Sequence, residues 1–159
     1  MLLKSTFRTL LRRQTFRRIR RGKYPIHNLP PYERGLYYED FVCRWLTERG
    51  YHVLDRNYVA RKRREIDIVA KDKETLVFLE VKARRRTSVY APLRAIDQKK
   101  RQSLALASAD YLQQLRQTGV DTDELKIRYD VVALTFDSNG VPSAADHYIS
   151  YLEPKRERI

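Results

Sequence analysis

The sequence is poor in cysteine and has no long apolar run. Its 159 residues include one cysteine, Cys43, so no disulfide can close within the chain. This excludes a small secreted domain held together by disulfides and favours a reducing compartment. We expect Cys43 itself to be an ordinary buried apolar side chain. No apolar run approaches the roughly 20 residues that span a bilayer, so the sequence predicts no transmembrane segment.

Acidic residues are missing from the first part of the chain. Residues 1–32 hold nine lysines and arginines and no aspartate or glutamate, whereas residues 33–159 hold 24 basic and 20 acidic residues. The formal net charge of +13 therefore comes mainly from an N-terminal basic arm. An arginine-rich arm with apolar residues at helical spacing is typical of a mitochondrial transit peptide. It is equally typical of an arm that lies on nucleic acid or on an anionic membrane.

Beyond the arm, the apolar pattern predicts one folded domain, residues 33–153, which is long enough to bury a core. A charged tail, residues 154–159, follows it. The predicted elements are a helix at 33–49, strands at 51–60, 65–71 and 75–83, a helix at 92–117, and strands at 127–136 and 146–152. This order predicts an α/β fold in which helices flank a central mixed sheet of about five strands.

The basic residues of the domain are concentrated in three clusters. A cluster of this kind suits a polyanion, because each neutralised phosphate releases counterions. One cluster alone is ordinary solvated surface, but three, two of which flank the strands at 65–71 and 75–83, favour nucleic acid as a partner. The clusters are Arg61, Lys62, Arg63 and Arg64; Arg84, Arg85 and Arg86; and Lys99, Lys100 and Arg101.

Charged residues interrupt two predicted strands, which a "KDKE" turn joins as a hairpin. Alternation along a strand places Glu65 and Asp67 on one face of the first strand. It likewise aligns Phe78, Glu80 and Lys82 on the second. In a hairpin, Asp67 and Glu80 would converge at one end of the sheet, and like charges that close require a cation. Carboxylate oxygens suit Mg²⁺ or Mn²⁺. The alternative is a polar strand end that carries a Glu80–Lys82 surface ion pair.

Each predicted helix also directs one ionisable group toward the sheet. Glu39 lies in line with Val42 and Leu46, on or beside the apolar stripe of the first helix. Lys100 interrupts the apolar stripe of the second helix, where a cation is costly unless it pairs with an anion or meets a phosphate. The alternatives are a Glu39 that reaches solvent at the edge of its stripe and a Lys100 with a buried stem and a hydrated ammonium group.

The motif around these residues resembles that of a known nuclease fold. Asp67, twelve intervening residues and then Glu80-Val81-Lys82 are similar to the PD-(D/E)XK pattern of restriction-endonuclease-like proteins. A wider match, over residues 33–152, resembles the YraN family of small, mostly bacterial proteins. It implies a restriction-endonuclease-like α/β/α sandwich, similar in fold to Holliday-junction resolvases. The matching stretches are Gly35 and Glu39, "RNY" at 56–58, "EIDIVA" at 65–70, "LVFLEVKAR" at 76–84, "KRQSLALASADYL" at 100–112 and "RYDVVAL" at 128–134.

The resemblance also implies which residues form the site. Asp67 and Glu80, completed by Glu39, would bind Mg²⁺ or Mn²⁺. The metal would lower the pKa of a water and offset negative charge on the reacting phosphate. Lys82 would orient that water or stabilise the developing charge, and Lys100 would be an accessory basic group from the following helix.

Four further positions carry expectations from the same comparison. Glu65 would either lie next to the metal or orient its ligands. Asp130 lies in a matching stretch, and we expect it to have a role in strand or loop structure. Tyr38 and Arg64 stand where the family usually has glycine. A bulky residue there would narrow the approach of a phosphate backbone, although Arg64 would also suit a phosphate contact.

The predicted activity is hydrolysis of phosphodiester bonds by a Mg²⁺- or Mn²⁺-dependent endonuclease that acts on DNA rather than RNA, branched DNA included. The alternative is a nucleic-acid-binding module that no longer cuts; a third hypothesis makes the basic arm the functional part. Symmetric cleavage of a junction calls for a homodimer, for which the exposed half of the last strand is the candidate face. The expected location is a bacterial-type cytoplasm, or the mitochondrial matrix if the arm is a transit peptide.

Overall fold

The computed structural model describes residues 25–87 and 97–152. Residues 1–24 of the predicted basic arm and the predicted tail, 154–159, lie outside this part of the chain, so the arm and the tail stay predictions. The described residues form two helices and five strands in the predicted order: α1 (Pro31–Thr47), β1 (His52–Val59), β2 (Glu65–Asp72), β3 (Thr75–Arg85), α2 (Gln98–Gln117), β4 (Lys126–Phe136) and β5 (Pro142–Tyr148).

The five strands form one mixed sheet in the order β1-β2-β3-β4-β5. β1, β2 and β3 pair antiparallel through short connections, as do β4 and β5, whereas β3 and β4 pair parallel. A parallel pair needs a long crossover between its strands, and here α2 lies in that crossover. β3 is the central strand, with two strands on each side of it.

The two helices pack on opposite faces of the sheet. Alternating residues of β3 show this, because Val77 and Leu79 pack in the same core as α1, while Leu76 and Phe78 pack in the same core as α2. The α1 core is completed by Val42, Cys43, Leu46, Val132 and Leu134, and the α2 core by Leu104, Ala107 and Val131. This confirms the predicted α/β class and is consistent with a restriction-endonuclease-like sandwich; the predicted burial of Cys43 is also confirmed.

Local sequence explains where α1 begins and ends. Pro31 occupies the first helical position, where its missing N–H costs nothing. Glu33 lies in the first turn, close to the positive end of the helix dipole. Gly50 follows with φ +85°, a left-handed conformation that suits glycine at the end of a helix. Neither α1 nor α2 is long and apolar enough to cross a membrane, and these are the α-helices of the described ranges.

The helix predicted at 92–117 begins later than expected. Asp97 is extended, with φ −77° and ψ 171°, and its side chain accepts a hydrogen bond from the backbone N–H of Lys100 at 2.8 Å. That bond caps the helix, which therefore starts at Gln98. The predicted start at Pro92 is wrong on this point, and residues 88–96 themselves lie outside the described part of the chain.

The last strand lies earlier than the predicted 146–152. It spans Pro142–Tyr148, because its pairing with β4 begins where Pro142 lies opposite Phe136. After Tyr148 the chain turns, and the backbone N–H of Ser150 donates to the buried Asp130 carboxylate at 2.9 Å. The predicted end of this strand at residue 152 is wrong, because the backbone N–H of Ser150 donates to the Asp130 side chain and not to a neighbouring strand.

Asp130 is fully buried on β4, and its carboxylate is saturated with hydrogen bonds. Arg128 donates to it from Nε and Nη2, and His147 Nε2 lies 2.8 Å from Oδ2. Arg128 also donates to Asp72 Oδ2 at 2.9 Å and so ties β4 to β2. Burial acts to raise the pKa of Asp130, but the hydrogen bonds from His147 and Arg128 outweigh it and lower the pKa. These contacts agree with the structural role expected for Asp130.

Gly140 closes the turn between β4 and β5 against the start of the domain. His27 N–H donates to the carbonyl of Asn139 at 3.2 Å, and Tyr38 Oη donates to the carbonyl of Gly140 at 3.1 Å. Gly140 has φ +81°, and a Cβ there would lie 2.9 Å from the backbone nitrogen of His27. Both the backbone conformation and the close approach therefore require glycine.

We expect Gly140→Ala to lower the free energy of unfolding by about 1–3 kcal/mol, because a left-handed alanine is strained and its Cβ has no room. The matched control is Gly35→Ala in α1, where an added Cβ meets no atom within 4 Å; it should leave stability unchanged or raise it by up to about 1 kcal/mol. Urea unfolding measures both variants. Equal stabilities would contradict the close packing of this turn.

Candidate metal-binding and catalytic site

The candidate site forms where the β2–β3 ladder opens. The paired residues of this hairpin end at Ile68 and Leu79, so that Asp67 and Glu80 are the next residues on the two strands. Asp67 Oδ2 accepts a hydrogen bond from the backbone N–H of Val81 at 2.8 Å. A side-chain oxygen thus satisfies a backbone donor of the neighbouring strand. Asp67 and Glu80 therefore lie just beyond the last β2–β3 pair, and the charge of Glu80 acts on Asp67. Glu80 lies in the middle of β3, where it is paired with Val131, and not at one end of the sheet as predicted.

Glu80 is the buried centre of this group, with 2% of its surface exposed. Lys82 Nζ lies 2.7 Å from its Oε1, and Lys100 Nζ lies 2.7 Å from its Oε2. The Lys100 ammonium group is the one cationic neighbour of Oε2 among the described residues, and no other group there donates to this oxygen. A buried carboxylate with only one of these cations would be strongly destabilising, because its desolvation would not be offset.

Lys100 reaches Glu80 from the first turn of α2. The Asp97 side chain fixes that turn through its hydrogen bond to the Lys100 backbone N–H. Burial acts to lower the pKa of Lys100, but the charge of Glu80 and the contact with it, together with two further carboxylates, outweigh burial and raise the pKa. The two further carboxylates are Asp67 and Glu65. Glu65 itself is exposed, so it faces Lys100 from the solvent side.

Glu39 approaches the site from α1 and is held by β1. Asn57 Nδ2 donates a hydrogen bond to Glu39 Oε2, and the adjacent pair, Arg56 Nη1 and Asp40 Oδ1, lies 2.7 Å apart. Asn57 has φ +50°, a left-handed conformation that asparagine tolerates better than most residues. Asn57 has no role in the sequence prediction. An asparagine within an otherwise regular strand is the signal that could have pointed to it.

Asp67 experiences the negative charge of the whole group. Burial of its carboxyl raises its pKa well above the ordinary value, and the charges of Glu80 and Glu39 add to that rise. The hydrogen bond from Val81 and the charge of Lys100 offset only part of it. The three carboxylates therefore lie close enough to repel one another, and the group favours either a proton or another cation.

The donor chemistry of the group suits a hard dication. Carboxylate oxygens are the ligands that Mg²⁺ and Mn²⁺ prefer. Burial and the charges of Glu80 and Glu39 raise the pKa of Asp67, and Lys100 offsets only part of this rise. The carboxylates are nevertheless not arranged as a complete metal-binding site in the part of the chain that the structure describes. Among residues 25–87 and 97–152, no three His, Cys, Asp or Glu side chains are grouped so that they could hold a metal ion. Lys82 and Lys100 take the two oxygens of Glu80 instead.

Comparison with known sequences identifies the family. A model of the uncharacterised protein family UPF0102 matches residues 38–134, which is more than half of the chain. The chain belongs to this family. UPF0102 is the YraN-type family that the motifs resemble, so that resemblance is confirmed. The match includes every residue of the predicted set: Glu39, Asp67, Glu80, Lys82 and Lys100.

UPF0102 relatives occur in distant bacteria. A UPF0102 protein of Chlorobium phaeobacteroides strain BS1 is 36% identical over 104 residues, which cover 65% of this chain and 78% of the relative. One from Anaeromyxobacter dehalogenans is 39% identical over 98 residues, 62% of this chain and 69% of the relative. One from Rhodococcus jostii is 35% identical over 108 residues, 68% of this chain and 84% of the relative.

The three basic clusters of this UPF0102 chain border the elements that carry the site. The first precedes Glu65 at the start of β2, the second ends β3, and the third begins α2 beside Glu80. Lys62 and Arg63 are held in left-handed conformations, each with φ +57°, in a short 3-10 turn. The exposed cations are Arg61, Lys62, Arg63, Arg85, Arg86 and Lys99. We refer to these six exposed side chains as the basic rim.

Three arginines of these clusters differ from the others: two contact other parts of the fold, and one has a buried guanidinium nitrogen. Arg61 Nε lies 3.7 Å from Asp110, although its side chain is largely exposed. Arg101 Nη1 donates to the carbonyl of Tyr151 at 2.7 Å and so holds the segment after β5 against α2. Arg84 Nε is buried without a hydrogen-bond partner within the described ranges. Arg101 therefore contributes to the fold as well as to the charge of the rim.

The two departures from the family pattern have different outcomes. Tyr38 is buried, and its ring stacks on Phe136 with 4.9 Å between the centroids. Burial raises the pKa of Tyr38 to about 12, as expected for a phenol in the core. The expected narrowing of a phosphate path at Tyr38 is wrong, because the ring fills the α1 core. Arg64 is half-buried at the entry to β2, where its carbonyl accepts from Ala60 N–H at 2.8 Å.

We expect Asp67→Asn to stabilise the metal-free protein at pH 7. Because folding raises the pKa of Asp67, the folded chain holds this proton more tightly than the unfolded chain. That contribution to stability is fully present below about pH 3.9 and is lost as the pH rises through the raised pKa. The ionised carboxylate is thus destabilising at pH 7, and asparagine removes its charge.

Thermal unfolding in EDTA between about pH 4 and pH 8 measures this effect. The unfolding temperature of Asp67→Asn should exceed that of the unsubstituted chain at pH 7, and the difference should shrink toward pH 4. Asp146→Asn, an exposed site on β5, is the control and should change little. A lower unfolding temperature for Asp67→Asn at pH 7 would contradict the repulsion described here.

Proposed function

We propose that the chain is a metal-dependent endonuclease that hydrolyses phosphodiester bonds in DNA. The observation that carries this proposal is the arrangement around Glu80, a buried carboxylate opposite Asp67 with one ammonium group on each of its oxygens. Carboxylates that repel one another beside lysines are the groups that a phosphodiesterase needs to bind a dication and a phosphate. The basic rim supports a polyanionic substrate.

Each residue of the site has a distinct part in this proposal. Asp67 and Glu80 would hold Mg²⁺ or Mn²⁺, with Glu39 oriented toward them by Asn57. When bound, the metal supplies a water of lowered pKa and offsets charge on the phosphate. Lys82 stabilises negative charge that develops on the phosphate oxygens, because its Nζ is already placed at the carboxylate that would face them. Lys100 supplies a second positive charge from α2.

Substrate binding would rest on the exposed cations of the rim. Contacts from these side chains to phosphates fix the register of the nucleic acid and carry no sequence information. The proposal therefore predicts cleavage governed by the shape of the DNA, which makes branched DNA a natural substrate. Paired cuts across a junction would require two copies of the chain related by a two-fold axis.

We expect Glu80→Ala and Asp67→Ala each to lower metal-dependent cleavage by about 10²-fold or more, because each removes a proposed metal ligand and upsets the charge of the other. The matched control is Glu74→Ala, in the exposed β2–β3 turn, whose carboxylate meets only Lys71 at 3.7 Å. Plasmid, single-stranded and four-way-junction DNA should be tested with Mg²⁺ and with Mn²⁺. Equal rates for Glu80→Ala and the unsubstituted chain on every substrate would exclude the proposed activity.

A second candidate function is a nucleic-acid-binding module that does not cut. The observation that favours it is that the lysines occupy both oxygens of Glu80 and that no three ligand side chains are grouped for a metal across the described ranges. This module would bind nucleic acid without any requirement for divalent ions. It would share the basic rim with the nuclease, so binding alone does not separate the two functions.

We expect DNA affinity to fall steeply with salt, and we expect Lys62→Ala and Arg85→Ala each to make the slope of log K against log salt shallower by about 1, because each removes one phosphate contact. Fluorescence anisotropy at several salt concentrations measures the slope, with EDTA and with Mg²⁺. Lys126→Ala is the control, since Lys126 is exposed at the opposite end of the β3–β4 pair. An unchanged slope for both rim variants would remove the rim from the interface.

A further inference from the structure

Lys100 is the cation that links the proposed metal ligands to α2. Its Nζ lies 2.7 Å from Glu80 Oε2, and its charge also acts on Asp67. The Asp67 and Glu65 carboxylates act on Lys100 in return. One ammonium group thus contacts Glu80 and lies near enough to two further carboxylates for their charges to act on it.

The Lys100 ammonium group can move away from Glu80 and leave its place to another cation. The backbone of Lys100 is fixed by the Asp97 cap, but its ammonium group stands at the end of four methylene groups, and 30% of the side chain is exposed. Oε2 has the Lys100 ammonium group as its one cationic neighbour within the described residues, and no other side chain or backbone group there donates to it. A carboxylate oxygen with a single cationic neighbour retains a lone pair for another cation.

Lys82 differs from Lys100 in this respect. It lies two residues after Glu80 on the same strand and the same face, so its backbone is held beside Glu80. Lys100 belongs to a different element and meets Glu80 only through its flexible side chain. If Lys100 leaves Glu80, Lys82 still offsets the charge of the carboxylate from the same strand.

We propose that Lys100 is a tethered substitute for the divalent ion: in the metal-free protein it occupies the position at Glu80 Oε2 that the metal takes, and metal binding releases its ammonium group toward a bound phosphate. This inference rests on the proposed metal-dependent function. It explains why the carboxylates are not already grouped as a cage in the described residues. It also makes metal affinity a competition between the ion and a side chain of the same molecule.

The test is the affinity of the full chain for Mn²⁺, measured by calorimetry without nucleic acid. Lys100→Met keeps the length of the side chain and removes the competing charge, so Mn²⁺ should bind about tenfold more tightly. The control is Lys126→Met, which changes the net charge equally at the far end of the β3–β4 pair and should leave the affinity near that of the unsubstituted chain. Equal or weaker binding by Lys100→Met would overturn the inference while leaving the proposed function intact.

A second measurement uses the unsubstituted chain and so does not depend on the folding of a variant. Acylation of lysines with an N-hydroxysuccinimide ester, followed by mass spectrometry, reports how accessible each ammonium group is. Saturating Mg²⁺ should raise the acylation rate of Lys100 several-fold relative to Lys126. If Mg²⁺ binds and the acylation rate of Lys100 does not change, the proposed replacement of Lys100 by the metal is wrong, and the proposed function is unaffected. If the unsubstituted chain binds neither Mg²⁺ nor Mn²⁺, both the proposed function and the replacement of Lys100 are wrong.

Discussion

A carboxylate buried between two ammonium groups organises the candidate site of this molecule. Glu80 lies under α2 on the central strand, and the cost of taking its charge out of water must be offset by Lys82 and Lys100. Glu80 lies directly beyond the last β2–β3 pair, and the Asp97 cap fixes the turn of α2 from which Lys100 reaches it. The site thus places charged groups within the apolar packing on the α2 side of the sheet.

The two faces of the sheet handle buried charge in different ways. On the α1 side, Asp130 accepts hydrogen bonds from Arg128, His147 and the Ser150 backbone, and its pKa is lowered. On the other side, burial raises the pKa of Asp67, and the charges of the neighbouring carboxylates Glu80 and Glu39 add to the rise. A satisfied network holds strands together, whereas an unsatisfied one has affinity for another cation. This contrast separates Asp130 from the carboxylates of the candidate site more clearly than burial does.

The sequence predicted the parts of this arrangement that depend on local periodicity. Alternation along two adjacent strands aligned Asp67 and Glu80, and the helical spacing of α2 directed Lys100 inward. What could not be predicted depends on partners distant in sequence. The Asn57 side chain donates to Glu39 from β1. The backbone N–H of Ser150 donates to Asp130 just beyond the end of β5. The ring of Tyr38 stacks on Phe136 in the α1 core. Such contacts leave no periodic trace in the sequence.

The parallel pairing of β3 with β4 has a consequence for how the molecule is assembled. Its partners lie about fifty positions apart along the chain, whereas β1, β2 and β3 are joined by short turns. Loop closure over that distance opposes early pairing, so the local hairpins can form first and the crossover with α2 docks afterwards. Glu80 therefore acquires Lys100 only when the crossover docks. Before the crossover docks, Glu80 would be exposed to water and would lack the Lys100 ammonium group. The full set of ion pairs around Glu80 would therefore form together with the complete tertiary structure.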